Sequence, residues 1–436
     1  MEISQIALIG IAILIALLVI GVPVPFCFAA AMVFMIIAGG YDPSMALHFG
    51  YYKLNSLILL AMPLFIMAGG IMGEGGIGER LVGFIELFIG RAKGGLGAVG
   101  VVTCAVFGAI SGSASAALSA IGSIMFPQMT DRGYPIGHSA ALISCASVLA
   151  LLIPPSIDMI IFGWLAEESI AGCFLATVGP GIFTVVTLCL VNWRLLRRVP
   201  LPIPPEMTIK ERAVETGRRG KNAFFALMMP VIILGGIYGG IFTPTEAAAV
   251  SVIYAIPVAL FIYRGLNVRR LGHVLVGTAT TSGVVMIMFF FALVLSQLFV
   301  RENLPHQIAA LMMGISENKY IILLMVNIFL IFIGMIMDDV SGITLTTPLL
   351  MPLMRQLGVH PLQFAAIIGT NLGMGCMTPP TAPLLYLGAR VANTDMRNML
   401  RPATIMIIFG MLPGVLAATY WPELSLWLPR TTGFMR

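Results

Sequence analysis

Long apolar runs, interrupted by small polar residues or by proline pairs, recur along the whole chain. Runs of about 20 residues are long enough to cross roughly 30 Å of hydrocarbon as helices, whereas a membrane barrel shows alternating segments of about ten residues. The pattern therefore predicts an all-α polytopic membrane protein. The predicted apolar runs are 3–20, 26–38, 57–72, 95–110, 114–125, 138–153, 157–165, 170–191, 223–241, 247–263, 283–300, 320–337, 342–351, 362–377, 383–391 and 404–420.

One block of this pattern occurs twice. Residues 107–156 align without a gap on residues 332–381, at an offset of 225 positions. Each block has a polar break, a return run ending in proline, and a second run broken by Pro-Pro. The matches include Phe107/Phe332, Pro127/Pro352, Gly133/Gly358, Ala140/Ala365, Ala141/Ala366, Pro154/Pro379 and Pro155/Pro380. Three aligned prolines and a polar break at one offset indicate an internal duplication.

The duplication predicts two inverted-topology repeats, because a half that crosses an odd number of times inverts the next half. We assign residues 1–191 to the first repeat, 192–222 to a basic linker and 223–436 to the second repeat. Runs too short to span, joined at a polar tip, predict re-entrant hairpins. Amphipathic arms are predicted at Ile77–Ile89 and Leu304–Ile315. The hairpins are expected at 95–127 and 320–352, and the Pro-Pro-broken helices at 138–165 and 362–391, as in elevator-type ion transporters.

The distribution of basic residues predicts the orientation. With the linker inside and the N-terminus outside, 18 of the 24 lysines and arginines fall inside and 6 outside. This bias follows the positive-inside rule. The inside set is Arg80, Arg91, Lys93, Arg132, Arg194, Arg197, Arg198, Lys210, Arg212, Arg218, Arg219, Lys221, Arg264, Arg269, Arg270, Arg390, Arg397 and Arg401; the outside set is Lys53, Arg301, Lys319, Arg355, Arg430 and Arg436.

Composition narrows the functional classes. The chain is 59% hydrophobic and 10% charged, with mean hydropathy +1.00, which excludes an ordinary soluble domain. The six cysteines lie in apolar runs without CxxC spacing and are interpreted as buried hydrophobes. No P-loop, HExxH, Ser-His-Asp or nucleotide motif is present, so ATP is not expected to drive this chain. Glu246, in a Thr-Pro-Thr-Glu helix start, is interpreted as a capping residue.

The first hairpin tip carries Ser111, Gly112, Ser113 and Ser115. Backbone that leaves helical geometry at membrane depth must have its polar groups satisfied by protein, water or an ion. Serine hydroxyls and freed carbonyls are hard oxygen ligands suited to Na⁺. The alternative is a tight helix contact through small residues. A second polar tip at the symmetric position favours the ion site.

The second tip carries Asp338, Asp339 and Ser341. Carboxylates at membrane depth are costly and usually functional, although the pair would also fit a loop in water. Two adjacent carboxylates are not expected to face one small site, and by position Asp338 is the candidate ion ligand, with Ser341 beside it.

The two proline pairs break helices, because each proline removes a backbone donor and restricts the residue before it. The half-helix ends so created present carbonyls to a cation, and the half-helix starts present partial positive charge to an anion. A simple proline kink is the alternative for either break alone. The candidate Na⁺ ligands here are Pro154, Thr378 and Pro379, and the candidate substrate-binding residues are Pro155, Ser156, Asp158, Asn371, Pro380 and Thr381.

The string GGIFTPTEAAA at 239–249, the SGSASA tip and the paired IPPS and TPP breaks resemble the large membrane subunit of tripartite ATP-independent periplasmic (TRAP) transporters. The resemblance covers essentially the whole chain. It departs from the family at Thr381-Ala382-Pro383-Leu384-Leu385, where a Gly and an Asn-containing run is usual, and at Asp158, where an uncharged residue is usual.

The resemblance implies sodium-driven, elevator-type import of an organic anion, such as a dicarboxylate, across the bacterial inner membrane. It also implies a small four-helix membrane subunit and a periplasmic substrate-binding protein. We expect no catalytic residues, no cofactor, no metal beyond Na⁺ and no nucleic acid partner. With no cationic residue placed in the cavity, the anion is expected to be held by backbone dipoles and bound cations.

Three other functions remain open from the residues alone. A stand-alone sodium/anion symporter would lack genes for the binding protein and small subunit nearby. A channel of the same architecture would tolerate bulky residues at the hairpin tips. An intramembrane enzyme would need a nucleophile–base or metal pair, for which only Asp158, Asp338 and Asp339 are candidates.

Overall fold

The computed structural model describes residues 5–90, 93–201 and 209–435. Residues 1–4, the cations Arg91 and Arg436, and linker residues 202–208 with Pro202, Pro204 and Pro205 lie outside the described residues.

The first half is helical throughout its described part. Its helices are α1 (Gln5–Ile20), α2 (Val24–Ala38), α3 (Pro43–Leu54), a short 3-10 segment (Leu57–Leu60), α4 (Ala61–Glu74), α5 (Ile77–Ile89), α6 (Gly95–Ser111), α7 (Ala114–Asp131), α8 (Ile136–Ser147), α9 (Leu149–Leu152), α10 (Ile157–Ala166) and α11 (Ile170–Leu196).

The second half has the same plan. Its helices are α12 (Ile209–Tyr238), α13 (Pro244–Pro257) continuing as a π segment (Val258–Ile262), α14 (Val268–Arg301), α15 (Leu304–Ile315), α16 (Lys319–Ile336), α17 (Asp339–Gln356), α18 (Pro361–Gly375), α19 (Pro383–Val391), α20 (Met396–Met406), a π segment (Ile407–Met411), α21 (Leu412–Tyr420) and α22 (Pro422–Thr431).

These elements confirm the predicted fold class of two inverted-topology repeats. Helices α6–α7 and α16–α17 form the two hairpins, and α5 and α15 are the predicted arms. The first broken helix bends by 41° between 136–152 and 157–166, and the second is α18 with α19. The peptide bonds Pro154–Pro155 and Pro379–Pro380 are both cis. The residue boundaries of the two repeats stay a prediction.

In both repeats the hairpin touches its broken helix backbone to backbone. A Cβ added at Gly108 would lie 2.5 Å from the Cα of Ala150. A Cβ added at Gly334 would lie 3.0 Å from the Cα of Gly375. Ala150 and Gly375 are 225 positions apart, and Gly334 is the counterpart of Ala109, one residue along from Gly108. The close approach is therefore part of the duplicated plan, and only residues with little or no side chain permit it.

The hairpins and broken helices pack into one unit, the transport module, defined as α6–α10 and α16–α19. Helix α10 packs against α17, and α7 packs against α19, so elements of the two repeats interdigitate. Helices α2, α4, α13 and α14 pack against one another beside it, and we call these four the scaffold. In the described part of the chain, seven helices are long and apolar enough to cross a membrane, or eight if the bent pair counts as one span.

The helices extend further into polar sequence than the apolar runs predict. Helix α11 continues to Leu196 and α12 begins at Ile209, so most of the described part of the basic linker is helical. An ion pair one turn apart supports α12, because Arg219 Nε donates to Glu215 Oε1 at 2.7 Å. Helix α14 begins at Val268 rather than at 283, and helices α3 and α22 were not predicted.

The Glu86 carboxylate links arm α5 to one helix of each repeat. It accepts from Arg132 at 2.6 Å, at the end of α7, and from Arg219 at 3.2 Å, on α12. At Glu246 the capping role is confirmed, since Thr243 N donates to its carboxylate at 2.8 Å and Glu246 N donates back to the Thr243 hydroxyl at 3.3 Å.

The close approach at Gly108 generates a stability prediction. G108A forces a methyl group against the Ala150 backbone and is expected to destabilise the protein by about 1–3 kcal/mol, the usual range for overpacking. The measurement is thermal unfolding of the purified protein in detergent. G283A is the matched control, because nothing lies within 4 Å of a Cβ there. At that position the higher helix propensity of alanine alone would raise the free energy of unfolding by up to about 1 kcal/mol. Equal melting temperatures for the two variants would contradict the prediction.

Candidate functional site

A cavity of about 1010 Å³ lies between the transport module and scaffold helices α4 and α14. Parts of both hairpin tips and of both broken helices line it. The module contributes Ser111, Gly112, Ser113, Ser115, Ala116, Ser119, Ile157, Asp158, Asp338, Asp339, Val340, Cys376, Pro383, Leu384 and Leu387; the scaffold contributes Met62, Ile66, Gly70, Glu74, Arg270, His273, Val274, Gly277, Thr278, Thr281 and Val285.

The first tip is shaped by Gly112, which ends α6 with φ of +60°. Its carbonyl oxygen accepts from the backbone N–H of Ile157 at 3.4 Å, and a Cβ at this position would lie 3.0 Å from the carbonyl oxygen of Pro155. The hairpin tip and the first Pro-Pro break are thus in direct contact. Ser113 caps α7, and its hydroxyl lies 3.1 Å from that of Ser115. Hydroxyl and carbonyl oxygens therefore converge beside the cavity.

The second tip places two carboxylates in the same cavity. Asp338 occupies the N-cap position of α17, and its carboxylate accepts a hydrogen bond from the Ser341 hydroxyl. Asp339 begins α17, and its Oδ1 accepts from the N–H of Val340 at 3.1 Å. Both line the cavity. The cavity of about 1010 Å³ is much wider than an ion site, so which of the two carboxylates would face an ion stays a prediction.

Asp158 is the most buried carboxylate of the site. It lies in the first turn of α10 and is 2% exposed. Its Oδ2 has no hydrogen-bond partner in the part of the chain that the structure describes. The side chain lines the cavity and is close enough to Asp338 and Asp339 to interact with their charges. The interior of the site therefore concentrates negative charge.

Six of the fifteen predicted site residues line the cavity, and the other nine are not part of its lining. Those lining it are Ser111, Gly112, Ser113, Ser115, Asp158 and Asp338. Those outside the lining are Pro154, Pro155, Ser156, Ser341, Asn371, Thr378, Pro379, Pro380 and Thr381. The four prolines among these nine residues set the geometry of the breaks, but they are not among the residues that line the cavity.

Several of the nine have other partners. The Thr378 hydroxyl donates to the carbonyl oxygen of Met374 at 2.8 Å. Asn371 donates to Asn327 at 3.0 Å, and Thr419 donates to the same Asn327 oxygen at 3.0 Å. These three residues form a buried polar cluster in the second repeat. The Asn371 Nδ2 thus donates within this cluster, while its place in the substrate site stays a prediction.

Sequence reasoning missed the scaffold side of the site. Arg270 and His273 line the cavity from the start of α14, and Glu74 lines it from the end of α4. The expectation that no cationic residue lies in the cavity is therefore wrong. The criterion of apolar runs placed the start of α14 at 283 and left these residues in a loop. The small residues Gly277, Thr278 and Thr281, spaced along one helix face, are the signal that indicates a cavity-lining helix.

The module supplies hydroxyl, carbonyl and carboxylate oxygens to the site, the donors that hard cations prefer, and the scaffold supplies the side chains of Arg270 and His273. Within residues 5–90, 93–201 and 209–435, no group of three His, Cys, Asp or Glu side chains is arranged to hold a metal ion. The cavity is large enough for a small organic molecule.

Residues 11–424 match the family model described as "Tripartite ATP-independent periplasmic transporter, DctM component". The chain belongs to this family. It is a multi-pass membrane permease, and the resemblance read from its motifs is confirmed.

Curated relatives of this permease differ in the substrate that their names state. It is 34% identical over 411 residues to the isethionate TRAP transporter permease protein DctMQ of Oleidesulfovibrio alaskensis, covering 94% of this chain and 64% of that one. The chain thus spans less than two thirds of that relative's length. It is 33% identical to the C4-dicarboxylate TRAP transporter large permease protein DctM of Pseudomonas aeruginosa, covering 86% of this chain and 87% of that one.

A solved structure shares the permease's fold. The YdaH transporter of Alcanivorax borkumensis aligns with a TM-score of 0.58 at 15% identity, covering 89% of this chain and 88% of that chain. At that identity the likeness shows the fold alone.

The geometry of the cavity predicts which side chains a reagent reaches. Ser119 is exposed and lines the cavity, whereas Ser147 is fully buried in α8. In a variant with the native cysteines replaced, S119C is expected to react with a water-soluble maleimide at least about tenfold faster than S147C, because thiol reactivity follows access. Site-resolved mass spectrometry of the labelled protein measures both rates. Similar rates at the two positions would contradict the cavity.

Proposed function

We propose that this permease imports an organic acid by sodium-coupled, elevator-type transport. The observation that carries the proposal is the single cavity onto which both hairpin tips and both broken helices converge, against two scaffold helices. A ligand in that cavity touches elements of both repeats, so movement of the module relative to the scaffold would move the ligand with it.

The charge of the module favours cation coupling. Asp158, Asp338 and Asp339 line one cavity, and carboxylates at membrane depth are costly unless they are neutralised. Na⁺ is bound by oxygen atoms, which both tips provide. At the first tip these include the hydroxyls of Ser113 and Ser115. A bound cation would lower the repulsion that an organic acid meets there, so ion and substrate would bind cooperatively.

The orientation of the cavity follows from the charge bias. Glu74, Arg270 and His273 are exposed, and they lie at the ends of α4 and α14 that the positive-inside rule assigns to the cytoplasm. The N-terminus would then lie in the periplasm and the 192–222 linker in the cytoplasm of a bacterial inner-membrane protein. The structure would then be a cytoplasm-facing state, with the substrate released towards the linker side.

The partners follow from the family. A small four-helix membrane subunit would pack on the scaffold, and a periplasmic binding protein would deliver the substrate. Isethionate and C4-dicarboxylates, which the names of two relatives state, are the first substrates to test. Both are small organic anions that fit a cavity of about 1010 Å³.

The test is uptake of isethionate and succinate into proteoliposomes that contain the permease with its small subunit and binding protein. An inward sodium gradient is expected to drive accumulation of whichever organic acid the permease takes up, and collapse of the gradient is expected to stop it. Uptake that is indifferent to the sodium gradient would overturn the coupling.

A ligand variant sharpens this test. D338N removes one charged oxygen donor, and the loss of one charge-assisted contact, about 1.5–3 kcal/mol, raises the sodium concentration for half-maximal uptake by roughly tenfold or more. E317Q removes a carboxylate from an exposed loop outside the cavity and should match the wild type. Equal sodium dependence in the two variants would remove Asp338 from the ion site.

A further inference from the structure

Four half-helices begin at the cavity: α7 and α10 in the first repeat, and α17 and α19 in the second. Equivalent starts in the two repeats differ in charge. In the duplicated alignment, Ser113 and Ala114 at the start of α7 correspond to Asp338 and Asp339 at the start of α17. Asp158 in the first turn of α10 corresponds to Pro383 at the start of α19. Each acidic start therefore has a symmetric counterpart that carries no acid.

The two helices with acidic starts pack against each other, and so do the two helices without acids at their starts. Helix α10 packs against α17, and α7 packs against α19. The cavity consequently has an acidic wall, formed by Asp158, Asp338 and Asp339, and a wall of acid-free half-helix starts. The scaffold adds Arg270 and His273 to the same cavity, together with Glu74.

The acidic wall occupies helix starts that would otherwise attract an anion. A helix N-terminus carries partial positive charge and stabilises a carboxylate in its first turn. At α10 the chain's own Asp158 takes that position, so a substrate carboxylate meets repulsion there. The start of α7 remains available to a substrate anion, since its first turn carries no side-chain acid. At α19 the first residue, Pro383, has no N–H, and the Leu384 N–H donates to the Cys376 carbonyl oxygen at 3.3 Å.

Asp158 itself points to a ligand. It is 2% exposed and lines the cavity, and its Oδ2 has no partner within the described chain. A buried carboxylate oxygen without a donor costs free energy unless a bound group supplies one. The Na⁺ ion proposed above is assigned to the hairpin tips and Asp338, which leaves Asp158 to bind a second cationic group. An ammonium or similar organic cation supplies both the charge and the hydrogen-bond donors.

We propose that the transported organic acid also carries a cationic group, which Asp158 and Asp339 bind beside the Na⁺ site at Asp338, while its carboxylate faces the α7 start. The substrate class is thus a zwitterion, such as an amino acid or a betaine-like acid, rather than a dicarboxylate. This rests on the proposed transport function and specifies its substrate.

The experiment compares matched pairs that differ only in one end group. Glycine with malonate, β-alanine with succinate, and 4-aminobutyrate with glutarate each exchange an ammonium group for a carboxylate on the same carbon chain. Binding is measured by ligand-observed NMR on the complex of the permease and its small subunit in nanodiscs, with and without Na⁺. We expect the ammonium member of at least one pair to bind about tenfold or more tightly than its dicarboxylate partner, because it meets complementary charge.

Variants connect this preference to Asp158. D158N is expected to reduce the preference to near unity, and D158E, which keeps the charge, to retain part of it. E317Q, in an exposed loop outside the cavity, should leave it unchanged. Retention of the D158E preference also shows that the loss in D158N is not a folding defect.

The outcomes separate the two proposals. A wild type that prefers the dicarboxylate in every pair, or that binds no member of any pair, overturns the zwitterion assignment, as does a preference unchanged by D158N. A sodium-dependent response to a dicarboxylate, unaffected by D158N, would overturn the zwitterion while supporting sodium coupling. Ammonium preference without any sodium dependence would support the zwitterion and overturn the coupling.

Discussion

The organisation of this protein depends on one constraint: backbone that leaves helical geometry inside a membrane must find partners other than lipid. The chain breaks its helices at four such places, two hairpin tips and two Pro-Pro pairs. The structure brings them together, and the N–H of Ile157 reaches the carbonyl oxygen of Gly112 across one pair of breaks. A polar cavity forms where the remaining groups converge. The binding site is therefore a consequence of how the breaks are satisfied.

The duplication gives the site its geometry, and divergence between the copies gives it its polarity. An ancestral pair of identical halves would present equivalent helix starts on both walls. Here the acids stand only at α10 and α17, and packing of those two helices gathers Asp158 with Asp338 and Asp339. Symmetric backbones with asymmetric charge allow one cavity to distinguish the two ends of a ligand, which a fully symmetric site would do less well.

Much of the fold could be predicted from the sequence, because its strongest signals are local. The arms at Ile77–Ile89 and Leu304–Ile315 are predicted to the residue, since charges bound an amphipathic stretch and glycine or proline ends it. The tip at Gly112 follows from small polar residues between apolar runs. These patterns are read along the chain and need no knowledge of neighbours.

The scaffold side of the site could not be found in this way. Arg270 and His273 precede the apolar part of α14, so a hydropathy criterion removes them from the helix that carries them into the cavity. Conversely, Asn371 lies on the predicted broken helix, but its Nδ2 donates to Asn327 within the second repeat. Depth follows from hydropathy, whereas the direction in which a polar side chain points depends on tertiary packing.

The contacts that surround the cavity differ in a way that bears on transport. Within the module, Gly108 and Gly334 admit backbone contacts so close that a single methyl group would disturb them. Along the scaffold face of the cavity, a Cβ at Gly277 would have nothing within 4 Å, and one at Gly70 would reach only the side chains of Val274 and Thr278. Interdigitated backbones resist relative movement because packed interiors have few voids. The scaffold also approaches the module closely at one place, since a Cβ at Gly69 of α4 would lie 2.9 Å from the Cα of Ser111 at the first tip. The movement of the module that we propose therefore has to release this contact.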